Sequence, residues 1–279
     1  MRVLEVTKMW PIIIHYHQRS VMKILLLITL ALGCMSCATV SDRPIHWAYS
    51  GEAGPSAWGA LTPVYQVCSS GRSQSPIDIT GAGSSAGVSW SREYGTTTLD
   101  IAHHEHVEEI INNGHTIQVN CDGTSSITIS GVQYELKQFH FHTPSEHHVK
   151  GRSFPMELHL VHRSADGHFA VVGVLFEEQA GVTWVFDQYM EHLPSEKGQR
   201  RRRADLAVDI NALLPTSSAA YHYLGSLTTP PCTENVQWLV MKETVKVSPA
   251  VVAAFLSRIG PNNRPVQPSN GRNPTLDQP

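Results

Sequence analysis

Short apolar or alternating runs recur along the chain at 109–119, Ser126–Ile129, 133–142, 156–162, 169–176 and 236–241. Turn signals lie within or between them: Asn113-Gly114, Asp122-Gly123, Ser130-Gly131, Gly151 and Asp166-Gly167. Period-two runs punctuated in this way predict a mainly β fold. The expectation is a single domain on a large, mostly antiparallel twisted sheet with a few short peripheral helices. The clearest helix is Pro249–Ile259, with Ser248 as N-cap, Pro249 as first helical residue and Gly260-Pro261 as stop. A second short helix is expected over 205–214, ended by Pro215, and an irregular tail from Pro261. The arginine run Arg200, Arg201, Arg202, Arg203 reads as a solvated loop.

The N-terminus follows a different pattern. Lys23 precedes an apolar run over 24–32, and then come Gly33, Cys34, Met35, Ser36, Cys37 and Ala38. That is the layout of a secretory signal peptide, and the run is too short to span a bilayer. Residues 22–37 are the expected signal, 1–21 an upstream extension and 42–273 the folded domain. Ala31-Leu32-Gly33-Cys34 loosely resembles a lipoprotein cleavage site, so lipidation at Cys34 and ordinary cleavage nearby are the two alternatives. Export to the periplasmic side of a bacterial envelope makes disulfides permissible. Cys68, Cys121 and Cys232 remain, which suits one bridge and one free thiol.

Composition changes the picture at one point. Hydrophobic residues make up 41% of the 279, enough for a packed core. Lys+Arg 21 against Asp+Glu 24 gives a net charge of −3, so no basic footprint points to nucleic acid. The outlier is histidine, with 16 residues. Histidine is the commonest metal ligand and titrates near neutrality.

Three of these histidines are spaced for a metal. In Gln138-Phe139-His140-Phe141-His142, strand alternation projects His140 and His142 to one face and the two phenylalanines to the other. In Glu157-Leu158-His159-Leu160-Val161, Glu157, His159 and Val161 share a face. A Glu/His stripe inside an apolar strand costs stability unless its groups are paired or bound. If the two strands are neighbours, three imidazoles converge, which is the ligand set of a catalytic zinc with an open fourth position. Gln138 and Glu157 stand two residues from a ligand and suit the outer role of accepting a ring N–H. His162 points the other way and reads as a core residue. His103, His104 and His106 read as an exposed stretch before a strand, and His147 and His148 as a hairpin end.

The region from about His46 to Arg272 resembles the α-class carbonic anhydrases in their short bacterial form. The matching motifs are His46-Trp-Ala-Tyr49, Ser75-Pro-Ile-Asp-Ile79, Asn113-Gly-His115, QFHFHTPSEH at 138–147, ELHLVH at 157–162, SLTTPP at 226–231 and NRPVQP at 263–268. Ala48 departs from the family, which usually has Gly, and the run Arg200 to Arg203 matches no motif. The resemblance implies reversible hydration of carbon dioxide to bicarbonate and a proton, with zinc on His140, His142 and His159. It implies that Thr228 orients the attacking oxygen and donates a hydrogen bond to Glu146. Val171, Leu227, Thr229, Val236 and Trp238 join Val161 around the substrate. His115 would carry the proton out, through waters held by Tyr49, Asn113 and Gln118. Relatives with Thr-Thr-Pro-Pro-Cys imply a Cys68–Cys232 disulfide, with Cys121 free. The alternatives on the same fold are a non-catalytic binding module and an esterase side activity. No ligand or orienting residue is missing, which argues against the first, and no acyl pocket supports the second.

Overall fold

Alternation along 138–142 and 157–162 is realised in two neighbouring strands of one sheet. The computed structural model describes residues 45–83, 88–104, 116–121, 124–194 and 198–277, with the side chains of 101–104 excepted. Contacts divide the chain into Met1–Arg43 and Pro44–Pro279, and everything described lies in the second unit. The expected extension and signal, Cys34 included, lie outside the described residues.

The strands are β1 Asp78–Ile79, β2 Trp90–Glu93, β3 Thr96–His104, β4 Thr116–Asn120, β5 Ser126–Ile129, β6 Val132–His142, β7 His148–Val149, β8 Glu157–Ser164, β9 Phe169–Glu178, β10 Arg200–Asp209, β11 Ala220–Ser226, β12 Glu234–Met241, β13 Val245–Val247 and β14 Thr275–Asp277. The large sheet runs β10-β3-β4-β6-β8-β9-β12-β11-β14, while β1 and β7 pair separately. Its pairs are antiparallel except where β9 meets β12 and β13. The mainly β expectation holds.

The centre of this sheet is buried on both faces, and each face has its own chemistry. Phe139, Phe141, Leu158, Leu160, Val172, Val174, Leu239 and Met241 fill one core. Val161, Val171, Leu175, Val236, Trp238 and Val240 fill the other, on the side of the histidines. The helix Pro249–Ile259 covers the first face. Ser248 caps it by accepting from the Val251 N–H, Pro249 stands in its first turn, and Gly260 at φ 67° stops it. It buries Val251, Val252, Phe255 and Ile259, and Phe255 meets Phe141 at 4.5 Å between ring centroids.

Several local expectations are corrected. The arginine run is not a loop; it opens edge strand β10, where Arg200 and Arg202 pair with Asp100, and Arg203 with Asp205. An edge strand has one neighbour, so charged side chains can face water along it and no apolar alternation marks it. The helix expected over 205–214 is β10 through Asp209 followed by a 3₁₀ turn, Asn211–Leu213. The tail is not wholly irregular, since Thr275–Asp277 pairs with β11. His103 and His104 belong to β3, opposite Ile117 and Thr116, rather than preceding a strand; His106 lies outside the described residues. Of the strand expected over 109–119, the described part begins at Thr116.

Cys68 and Cys232 are joined in a disulfide, in which Cys121 takes no part. The bridge sits among Trp47 and Trp58 and closes a sequence separation of 164 residues. The chain-entropy model gives such a loop about 5 kcal/mol. The Cys68→Ser/Cys232→Ser protein is therefore expected to unfold at clearly lower denaturant than the oxidised parent. Equal midpoints would show that the crosslink contributes nothing to stability.

Candidate metal centre

Registration of β6 against β8 places His140 directly opposite His159, and His142 opposite Glu157. On its other side His159 faces Gly173 of β9, where a Cβ would sit 3.0 Å from Glu157 Oε1. The absent side chain leaves room for the carboxylate. The three imidazoles are buried, and each offers a nitrogen within 4.8 Å of the others'.

Which nitrogens are free follows from what holds the others. His140 Nδ1 donates to Gln138 Oε1 (2.8 Å), His142 Nδ1 to the Asn262 carbonyl (2.7 Å), and His159 Nε2 to Glu157 Oε1 (2.8 Å). That leaves His140 Nε2, His142 Nε2 and His159 Nδ1 turned inward. His142 Nε2 is buried with no hydrogen-bond partner. An orphaned buried nitrogen is costly unless something binds it. Burial, followed by the neighbouring imidazoles, holds the His140 pKa well below its ordinary value. Burial lowers that of His142 as well, against the opposing charge of Glu146. Neutral imidazoles with fixed tautomers are what a metal requires.

Glu157 anchors this outer layer. Its Oε2 accepts the backbone N–H groups of Glu146 and His147, both at 2.8 Å. Burial alone would raise its carboxyl, but His147 and His159 hold it well below the usual range. Glu146 Oε1 accepts from the Arg264 backbone N–H (2.8 Å). Glu146 Oε2 is buried without a hydrogen bond, 3.5 Å from His142 Nε2 and 3.9 Å from His159 Nδ1. The expected Thr228–Glu146 hydrogen bond is therefore not formed at this oxygen, which faces the imidazoles of His142 and His159 instead.

Beside the histidines lies a cavity of about 20 Å³, lined by His140, His159, Val161, Val171, Leu227, Thr228, Thr229 and Trp238. A space of this size holds one water-sized occupant. Its wall is apolar apart from the imidazoles and the two threonines. A metal on the histidines would thus face a small, largely apolar space.

Residues 53–275 match the family model for eukaryotic-type carbonic anhydrase. A carbonic anhydrase of Pectobacterium atrosepticum is 37% identical over 249 residues, covering 88% of this chain and 96% of that protein. The chain belongs to the α-carbonic anhydrase family. A carbonic anhydrase of Klebsiella pneumoniae is 40% identical over 245 residues, 87% of this chain and 95% of that one. Among solved structures, the α-carbonic anhydrase of Thermovibrio ammonificans in complex with sulfanilamide superposes with a TM-score of 0.77 at 38% identity. It spans 84% of this chain and 100% of its own.

Within the α-carbonic anhydrase frame, most of the expected site residues come together. Gln138 and Glu157 hold His140 and His159, and five of the six expected pocket residues line the cavity. Val236 is buried in the adjoining apolar cluster and is not part of the lining. Gln118 pairs in register with His140, and its Nε2 donates to Asn120 Oδ1 (2.6 Å). Tyr49 packs on Trp47 and Trp58, with its phenol pushed up by burial and then by the charge of Glu146. Asn113 and His115 lie outside the described residues. His162 is a core residue as expected, buried with Nε2 3.0 Å from the Tyr94 hydroxyl. His147 and His148 do lead into a tight hairpin turn closed by Val149 and Arg152, as expected, but His147 is fully buried, while His148 opens β7.

Sequence reasoning missed Asn262 and the role of Arg264. Asn262 holds His142 through its carbonyl while its side chain binds the Thr143 N–H and the Phe141 carbonyl. Arg264 is 1% exposed and donates to Gln74, Ser75 and Cys68. A histidine held by a backbone carbonyl 120 positions away leaves no side-chain signal.

Proposed function

We infer that this chain hydrates carbon dioxide reversibly to bicarbonate and a proton, with zinc held by His140 Nε2, His142 Nε2 and His159 Nδ1. The observation carrying this reading is the cluster of three buried imidazole nitrogens, two of whose histidines, His140 and His159, border a water-sized, largely apolar cavity. Zinc in such a site lowers the pKa of bound water to about 7, a value for which carbonic anhydrase is itself the reference case.

The protein's own groups do the rest. Val161, Val171, Leu227 and Trp238 supply an apolar surface against which carbon dioxide can rest. Thr228 borders the same space, and its hydroxyl orients the attacking oxygen. With the imidazole nitrogens committed to a metal, Thr228 is the donor we assign to Glu146 Oε2, a bond this structure does not make. The Arg264 backbone N–H on Oε1 keeps the carboxylate in place. Treating the purified protein with a strong chelator should abolish hydration, and added zinc should restore it. Full activity in zinc-free protein would refute the reading.

His115 is the proposed proton carrier to buffer, since an ordinary histidine pKa of about 6.5 permits exchange both ways near neutrality. Tyr49, Asn113 and Gln118 are the proposed holders of the connecting waters. His115→Ala is expected to lower kcat in dilute buffer while largely sparing kcat/KM, with imidazole buffers restoring much of the loss. Unchanged kcat in dilute buffer would remove this role.

Residues 22–37 are the proposed export signal, with 42–273 the catalytic domain on the periplasmic side and Cys34 a candidate lipid anchor. The disulfide supports an oxidising compartment. No helix among the described residues is long and apolar enough to cross a membrane.

A further inference from the structure

His147 is fully buried with both ring nitrogens engaged, yet the proposed chemistry makes no use of it. Its Nδ1 lies 2.7 Å from Glu157 Oε1, the oxygen that also holds His159. Its Nε2 lies 2.7 Å from the Tyr223 hydroxyl, which lies 2.8 Å from Ser75 Oγ. Ser75 Oγ accepts the Ser226 N–H (3.0 Å), and Ser226 Oγ accepts the Ser75 N–H (2.8 Å). Ser226 Oγ then donates to the Leu227 carbonyl, one residue before Thr228.

For a neutral imidazole at His147, every bond in this chain has one direction. An ionised carboxylate only accepts, so such a His147 donates from Nδ1 and keeps Nε2 as an acceptor. Tyr223 must then donate to Nε2. Burial pushes the Tyr223 phenol up, so its proton is retained. That proton being used, Ser75 donates to Tyr223 and accepts from Ser226. No hydroxyl proton is left over, and no acceptor in the line goes unserved.

We propose that Tyr223 and Ser75 are positioning residues for the metal centre, acting through His147 to hold Glu157 against His159 and so to slow the escape of zinc. This rests on the zinc reading above. Packing supports it. The Tyr223 ring stacks on Trp238 (centroids 6.2 Å apart, planes 11°), and Trp238 also contacts His147 and His159. Gly225 is what lets the chain close, because a Cβ there would lie 2.1 Å from Ser75 Oγ and 2.8 Å from the Tyr223 ring. The same groups thus bind a ligand histidine to the start of the loop carrying Thr228.

Removing the Tyr223 hydroxyl leaves His147 Nε2 without its donor and frees the imidazole to turn or change tautomer. Groups that touch a metal's ligands directly are worth roughly 10–100-fold in affinity. One step further out, Tyr223→Phe is expected to speed zinc release to a colorimetric chelator by about 5–10-fold, and Ser75→Ala by less. Tyr94→Phe is the control, since it deletes the same hydroxyl from the His162 pair on the opposite face. It should leave the release rate unchanged. The visible spectrum of the cobalt-substituted protein should shift in Tyr223→Phe and not in Tyr94→Phe. If Tyr223→Phe does not fold, Ser75→Ala carries the test. Release rates matching the zinc-loaded parent in Tyr223→Phe and Ser75→Ala would overturn the proposal alone. Equal acceleration in all three variants would also overturn it, as general loosening. A parent that retains no zinc would overturn the zinc reading with it.

Discussion

Replacing His140, His142 or His159 with alanine is expected to strip zinc from the protein and take carbon dioxide hydration to the uncatalysed background. Each change leaves two protein ligands where a catalytic zinc needs three. The loss in affinity should exceed the roughly 10–100-fold typical of outer-layer changes. His159→Ala carries an added cost. Glu157 is 0% exposed and accepts from His159, so a buried charged oxygen loses a donor. It should be the least stable of the three without metal. Metal analysis of each purified variant beside a stopped-flow hydration assay decides the matter. A variant that kept one zinc per chain and full activity would remove that histidine from the ligand set.

Thr228→Ala should behave in the opposite way, keeping its zinc and losing its rate. Its hydroxyl borders the cavity but is not among the nitrogens that hold the ion. Loss of one preorganised hydrogen-bonding group at a reacting oxygen typically costs about 10²–10³-fold, and the fall should appear in kcat/KM. Glu146→Gln should move in the same direction, since an amide N–H placed where Oε2 stands cannot accept from Thr228. Thr228→Ser keeps the hydroxyl and should retain most of the activity. Normal hydration rates in Thr228→Ala and Glu146→Gln together would show that the orienting pair is unimportant.

The centre of the sheet was legible because both of its faces are buried. Phenylalanine and leucine on one side and histidine, glutamate and valine on the other leave a period-two pattern that no helix would produce. The register then follows the chemistry, with His140 opposite His159. The β10–β3 end of the sheet was not legible. Strand β3 begins Thr96-Thr97-Thr98 and β10 begins with four arginines, so neither shows apolar alternation. What stabilises them is pairing, as between Asp100 and Arg200, which joins residues 100 positions apart. The inner site was legible as residue types, and its supports only in part. Gln138 and Glu157 stand two positions from their histidines, where strand geometry points to them. Asn262 contributes a carbonyl from beyond a helix. The burial of His147 left no trace beside its hairpin turn because the residues holding it, Glu157 and Tyr223, come from other strands.

The most direct test is the anomalous scattering of crystals of the purified protein at the zinc absorption edge. A second cluster, His147, Glu157 and His159, also brings three potential ligand atoms together, but its atoms are already engaged in hydrogen bonds of 2.7–2.8 Å. The account predicts one peak about 2.0–2.1 Å from His140 Nε2, His142 Nε2 and His159 Nδ1. A peak bound to His147 and Glu157, or none at the three histidines, would contradict it.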